Sequence, residues 1–317
     1  MPGTTEAAVS SGPTRRSPES GRGDPHLITR LRVRGFRSIA DVTLRPGRLC
    51  ALVGEAQSGK SNLLAAIDLL LDRRHAAGPE DLTTLAEVPL SIEATLGSGE
   101  RLRLDPSAAS RAAGEPPPLL FLPAAERAGA LVAAEPTGAM ARRALALVRE
   151  ALAEQAGAAA DVSTTLPAAS LVDGLEACCV AGIRGLVLLI EEPELYLRPQ
   201  AQRYLYRLLR TFAQGGNQVF YSTHSPSLLN VARLEELTVV SRDAAGTRVL
   251  QPAPMTPDED FRLLSEFDAA RSELFLARAA LLVEGQTERQ LVEAIELAIS
   301  LARRQDDSTL QPLRGGA

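Results

Sequence analysis

The sequence predicts an α/β domain with a mixed, largely parallel sheet flanked by helices, and three stretches predict it. Each is a short apolar run that stops abruptly at residues able to do chemistry. Leu-Cys-Ala-Leu-Val at 49–53 runs into a glycine loop, and Leu-Val-Leu-Leu-Ile at 186–190 into two glutamates. Gln-Val-Phe-Tyr-Ser at 218–222 runs into a hydroxyl-rich turn holding His224. Unbroken apolar runs of about four to eight residues are how strands buried on both faces read, and a helix-covered parallel sheet is where such strands occur.

In chain order, residues 1–25 are rich in Gly, Pro, Ser and charge and have almost nothing to bury, which predicts a disordered tail. One α/β domain is expected over 26–252. It opens with the half-buried alternation of 27–33, paired with a strand at 41–44, and continues with the apolar strand 48–53 and a helix over 62–71. Further strands are expected at 90–96, at 101–104 and, after the Pro116–Pro118 brake, at 119–122. An alanine-rich helix over 138–155 follows, far too short for a long coiled-coil arm. Then come a strand at 186–190, a helix over 199–213, a strand at 218–222 and an edge hairpin of 237–241 with 247–250. The prolines of 252–257 mark a linker spanning 253–276, and 277–317 carries a strand at 279–283 and an amphipathic helix over 290–302.

The glycine loop is Gly54-Glu55-Ala56-Gln57-Ser58-Gly59-Lys60-Ser61. Of the 34 basic side chains in these 317 residues, Lys60 alone is a lysine. A chain so biased toward arginine keeps a lysine here because a compact ammonium is wanted where a planar guanidinium does not fit. Gly-x-x-x-x-Gly-Lys-Ser between a strand and a helix is the phosphate-binding P-loop: its backbone N–H groups wrap phosphates, the ammonium meets the β/γ-phosphates, and the helix dipole favours the anion. Ser61 offers a hydroxyl to Mg²⁺. The expected nucleotide-binding set is Gly54 through Ser61 plus Asn62.

Glu191-Glu192-Pro193-Glu194 closes the strand at 186–190 as a Walker B element does. The first acid would hold Mg²⁺ and the second polarise an attacking water. His224 lies just past another strand, flanked by hydroxyls, within reach of a γ-phosphate.

Composition narrows the classes. The chain is 45% hydrophobic with a net charge of −5 and a mean hydropathy near zero, which describes a globular protein and argues against a strongly basic nucleic-acid binder. Cys50, Cys178 and Cys179 match neither a disulfide framework nor a zinc spacing, so a reducing cytoplasm and apolar packing are expected. No apolar run approaches the ~20 residues of a membrane span, and nothing after Arg15-Arg16 resembles a signal sequence.

Phe36-Arg-Ser-Ile39, the Gly-Lys-Ser-Asn loop at 59–62, Leu-Leu-Ile-Glu-Glu-Pro-Glu-Leu-Tyr-Leu-Arg-Pro at 188–199 and Tyr-Ser-Thr-His-Ser-Pro at 221–226 occur in order across roughly residues 27–250. Together they resemble the ATPase domain of the overcoming-lysogenization-defect (OLD) family, an ABC-type ATPase akin to SMC heads. The resemblance implies ATP and Mg²⁺ as cofactors, metal binding by Ser61 and Glu191, a catalytic base at Glu192, a switch role for His224, and two heads dimerising over ATP. It also implies a signature segment before the acidic strand, for which 170–176 is the candidate. There Gly174 fits, but Asp173 stands where a small residue is expected, and an acid would repel a γ-phosphate. Tyr196 and Arg198 replace the family's histidine pair.

Ala-Ala-Leu-Leu-Val-Glu-Gly-Gln-Thr-Glu at 279–288 resembles the start of a Toprim domain, which makes Glu284 its first Mg²⁺ ligand. Asp306-Asp307 is the remaining acid pair and no strand presents it, so endonuclease activity of this chain alone is not expected. The leading expectation is an ATP-hydrolysing, OLD-like ATPase in DNA repair or phage defence. It would work with DNA and with a partner nuclease or helicase. A nucleotide-dependent dimerising switch with little turnover, or a Toprim endonuclease completed by another chain, remain open alternatives. A transporter ATPase would show Leu-Ser-Gly-Gly-Gln, which is absent. Arg30, Arg32, Arg34 and Arg37 read either as a phosphate-binding stripe or as a solvated strand face.

Overall fold

The computed structural model describes residues 24–72, 77–83, 88–105, 115–124, 136, 138–156, 168–195, 197–229 and 233–252. The expected linker and Toprim segment, including Glu284, lie outside them.

The described residues form two sheets that share one of two apolar cores. A four-stranded antiparallel sheet has the order β2-β1-β4-β5, formed by β1 (Ile28–Phe36), β2 (Ile39–Leu44), β4 (Ser91–Leu96) and β5 (Arg101–Leu104). The six-stranded sheet runs β10-β9-β3-β8-β7-β6, from β3 (Leu49–Val53), β6 (Leu119–Leu122), β7 (Val187–Glu191), β8 (Gln218–Thr223), β9 (Leu237–Asp243) and β10 (Gly246–Leu250). All its pairings are parallel except the β9–β10 edge hairpin. This is the P-loop α/β architecture expected from the apolar runs.

All five residues of β3 are buried, as a central strand requires. Its side chains divide by alternation. Leu49, Ala51 and Val53 enter a core shared with α2 (Ala139–Ala156), α3 (Ala168–Val180) and α4 (Pro199–Gln214). Cys50 and Leu52 enter a second core with α1 (Lys60–Leu71) and the inner face of the antiparallel sheet. Burial pushes the thiols of Cys50 and Cys178 up to about 11 and about 12, so both act as small apolar groups, as expected.

The helix over 168–180 was not expected; only a signature segment was read there. Small residues let it approach α2 closely: a Cβ on Gly174 would lie 2.9 Å from the Val148 Cα. Gly174 is therefore a packing residue buried between two helices, while Asp173 is exposed.

The ends of the parallel strands opposite the glycine loop are fastened by two amides. Gln218 Nε2 donates to the carbonyls of Ile28 and Gly47, both at 2.9 Å, tying the first strand to the parallel sheet. Asn217 is 2% exposed; its Nδ2 donates to Ile183 and Phe212 carbonyls and its Oδ1 accepts from the Leu186 N–H. Replacing it strands three buried backbone groups. Asn217→Ala should destabilise the fold by about 2–4 kcal/mol in urea unfolding; an unchanged midpoint would show that the three groups find other partners.

Candidate nucleotide-binding site

The glycine loop leaves β3 at Gly54 and enters α1 at Lys60. Gly59 forms the left-handed cap of α1 with φ 110°, and a Cβ there would fall 2.2 Å from Thr247 Oγ1. The contact identifies what braces the loop from behind. Asn62 Nδ2 donates to Ser38 Oγ at 2.7 Å, Ser38 and Thr247 share a 2.7 Å hydrogen bond, and Thr247 Oγ1 donates to the Ser58 carbonyl at 3.1 Å. Each hydroxyl has one proton, and Thr247 uses its own on Ser58, so Ser38 must donate to Thr247. The chain of donors runs Asn62 to Ser38 to Thr247 to the loop. Ser38 belongs to the Phe-Arg-Ser-Ile stretch of the β1–β2 turn, whose Arg37 is fixed by the Asp81 carboxylate at 2.9 Å. Asn62, expected to bind nucleotide, therefore also holds the loop's shape.

Lys60 is 5% exposed, and its Nζ donates to the carbonyls of Gly54 at 2.9 Å and Glu55 at 2.6 Å. Burial lowers its pKa to about 8, against the opposing pull of Glu192, Glu194 and Glu55. The ammonium is charged at neutral pH.

Facing it, β7 buries four residues and ends at Glu191, aligned with Ser222 of β8. Glu191 Oε2 accepts from the Ala124 N–H at 3.1 Å. Glu192 then takes a left-handed backbone, φ 43°, held by its N–H to the Ser222 carbonyl at 3.0 Å. Such a conformation in a non-glycine residue costs roughly 1 kcal/mol and turns the side chain away from the direction of the strand. His224 Nε2 lies 3.4 Å from Glu192 Oε1. Burial, and then the charge on Lys60, lower the histidine's pKa, with Glu192 opposing, so the imidazole is neutral at pH 7.

These groups line one cavity of about 360 Å³: Ala56, Gln57, Gly59, Lys60, Ser61 and Asn62 on the loop side, with Glu192, His224 and Arg242 as its other lining residues. Gly54, Glu55 and Ser58 support the loop without lining the cavity, and Glu191 sits at the strand end beside it. Sequence reasoning missed Arg242, which nothing in its surroundings distinguishes from other arginines. It missed the Ser38–Thr247 brace, whose members are 209 residues apart. It also assigned no role to Glu194, the acid two residues beyond Glu192. Elsewhere, Arg32 lies 2.7 Å and Arg34 3.5 Å from Asp41, so with Arg37 on Asp81 three of the four stripe arginines are ion-paired.

The strand–loop–helix at Lys60, with an acidic strand end and a histidine turn on adjacent parallel strands, defines a P-loop ATPase-type domain. Residues 165–230 match the family described as "AAA domain, putative AbiEii toxin, Type IV TA system". Among curated proteins, the chain is 41% identical over 151 residues to an OLD nuclease of Thermus scotoductus, covering 42% of this chain and 28% of that protein. It is 33% identical over 115 residues to the Old nuclease of Escherichia phage P2, covering 34% and 20%. The resemblance to the OLD family is thus borne out over the aligned lengths; the chain spans under a third of the length of these relatives. Among solved structures, the SMC head domain from Thermotoga maritima matches with 15% identity and a TM-score of 0.42, covering 72% of this chain and 99% of that one. An Smc head from Pyrococcus furiosus bound to the C-terminal domain of ScpA matches with 12% identity and a TM-score of 0.45, covering 75% and 98%.

The lysine gives the site a pH signature. Its pKa of about 8 lies below the usual 10.5, so the ammonium is charged at pH 7 and largely neutral at pH 9. Affinity for a triphosphate, followed by fluorescence with a labelled ATP, should weaken about tenfold over that interval. Unchanged binding would place the ammonium outside the phosphate site.

Proposed function

We propose that this chain binds ATP with Mg²⁺ and hydrolyses it, as the ATPase part of an OLD-like protein. The observation that carries the reading is a single cavity walled by the Lys60 loop and, across from it, by Glu192 and His224. The loop N–H groups and Lys60 would hold the β- and γ-phosphates. Glu192 would orient and deprotonate the attacking water. Neutral His224 can donate Nε2–H to Glu192 and hold that carboxylate in place.

Ser61 and Glu191 supply the hydroxyl and carboxylate oxygens that suit Mg²⁺. Among the described residues there is no cluster of three or more His, Cys, Asp or Glu side chains that could hold a metal by itself. Bound there, Mg²⁺ would neutralise charge developing between the β- and γ-phosphates.

The domain boundaries expected from the sequence, 26–252 for the ATPase, 253–276 for a linker and 277–317 for a Toprim-like fragment with Glu284 as a metal ligand, are part of this proposal. So are pairing of two heads and a link to DNA in the cytoplasm through a partner nuclease or helicase, with no DNA cleavage by this chain alone. No helix among the described residues is long and apolar enough to cross a membrane. One observation favours a second reading, a nucleotide-dependent switch with little turnover: at the expected signature segment Gly174 is buried against Val148, and the exposed residue beside it is an acid.

Steady-state ATP turnover separates the two. Lys60→Ala should abolish binding and turnover, whereas Glu192→Gln should keep ATP bound and slow hydrolysis by about a hundredfold or more. Wild-type binding with no turnover would establish the switch. Turnover unaffected by Glu192→Gln would overturn the role given to that carboxylate.

A further inference from the structure

Glu194 is 8% exposed, does not line the cavity, and yet grips both parts of the turn that presents His224. Its Oε1 accepts the Thr223 hydroxyl at 2.6 Å and the His224 backbone N–H at 2.9 Å. Thr223 Oγ1 in turn accepts the Ser225 N–H at 3.0 Å. Around this clasp a second one closes. Ser225 Oγ donates to Gln202 Oε1 at 2.5 Å, Gln202 Nε2 donates to the Leu197 carbonyl at 2.8 Å, and the Leu197 N–H returns to the Glu194 carbonyl at 2.9 Å. The acidic loop after β7 and the histidine turn after β8 are thereby locked at two points.

Resting on the ATPase reading above, we propose that Glu194 is the positioning residue of this site: its carboxylate fixes the Thr223–His224 turn so that the imidazole stays within reach of Glu192. Two features set it apart from an ordinary tether. The other carboxylate oxygen, Oε2, is buried with no hydrogen-bond partner among the described residues. Burying a carboxyl is costly, and the two hydrogen bonds gathered on Oε1 are what offset that cost. Burial raises its pKa, and the bonds from Thr223 and the His224 N–H oppose that rise. The position is also telling. Glu192 and Glu194 leave the same loop, one into the cavity and one behind the histidine, so a single segment sets both ends of the Glu192–His224 contact.

The test combines kinetics with the His224 ring resonance in ¹H–¹³C spectra at fixed pH. Glu194→Ala should lower kcat about tenfold to a hundredfold, the cost of misplacing a reacting group by roughly an ångström, while KM moves less than about twofold. Glu194→Gln keeps an oxygen for both donors and should restore kcat to within about threefold of wild type. The ring signal should respond to Glu192→Gln in the wild-type and Glu194→Gln backgrounds and lose that response in Glu194→Ala. Wild-type kcat in Glu194→Ala, or an undiminished ring response, overturns the proposal. Should Glu194→Ala fail to fold, Thr223→Val removes one of the two donors at equal volume. It should lower kcat several-fold, and an unchanged kcat overturns the proposal as well. Absence of turnover in the wild-type protein would defeat the ATPase reading instead, and the ring response would still decide the role of Glu194.

Discussion

The parallel register of β3, β8 and β7 is the constraint on which the site depends. Val53 pairs with Thr223, and Ser222 with Glu191, so three strands end level at one edge of the sheet. Parallel strands need long crossovers, and their carboxyl ends are where α/β sheets bind ligands. Here the three chain exits are the glycine loop, the acidic loop and the histidine turn. A slip of one residue in either pairing would move Lys60, Glu192 and His224 out of one another's reach. The amides of Asn217 and Gln218 fasten the other end of the same strands, which makes such a slip expensive.

Charge then sets how the groups behave together. Lys60 is a buried cation: burial lowers its pKa to about 8, and the charges of Glu192, Glu194 and Glu55 oppose that fall. The same cation helps keep His224 neutral. A neutral imidazole beside a carboxylate can donate one hydrogen bond while Lys60 remains a charged donor of the cavity. The division of labour between lysine and histidine is therefore electrostatic as much as geometric.

Much of this was legible in the residues. Short apolar runs announced the parallel strands because burial on both faces removes polar alternation, and the residues that end them announced the chemistry. The hairpin at 237–250 was likewise readable, from two strand-like runs around a turn. What stayed hidden were partnerships between distant residues. The brace from Asn62 through Ser38 to Thr247 joins three elements that only folding brings together. Glu194 stood in plain view in Glu-Glu-Pro-Glu, but its partners are about 30 residues away on β8 and the turn that follows. The helix at 168–180 was missed because its small, mixed residues pack by close approach, which leaves little hydrophobic period to read.

In the function proposed above, both walls of the cavity hold one triphosphate. Hydrogen exchange with and without Mg²⁺ and a non-hydrolysable ATP analogue tests it most directly. Protection should appear together in the glycine loop, residues 54–62, and in the histidine turn, residues 222–225. Protection of the loop alone, or of neither segment, would contradict a two-walled nucleotide site.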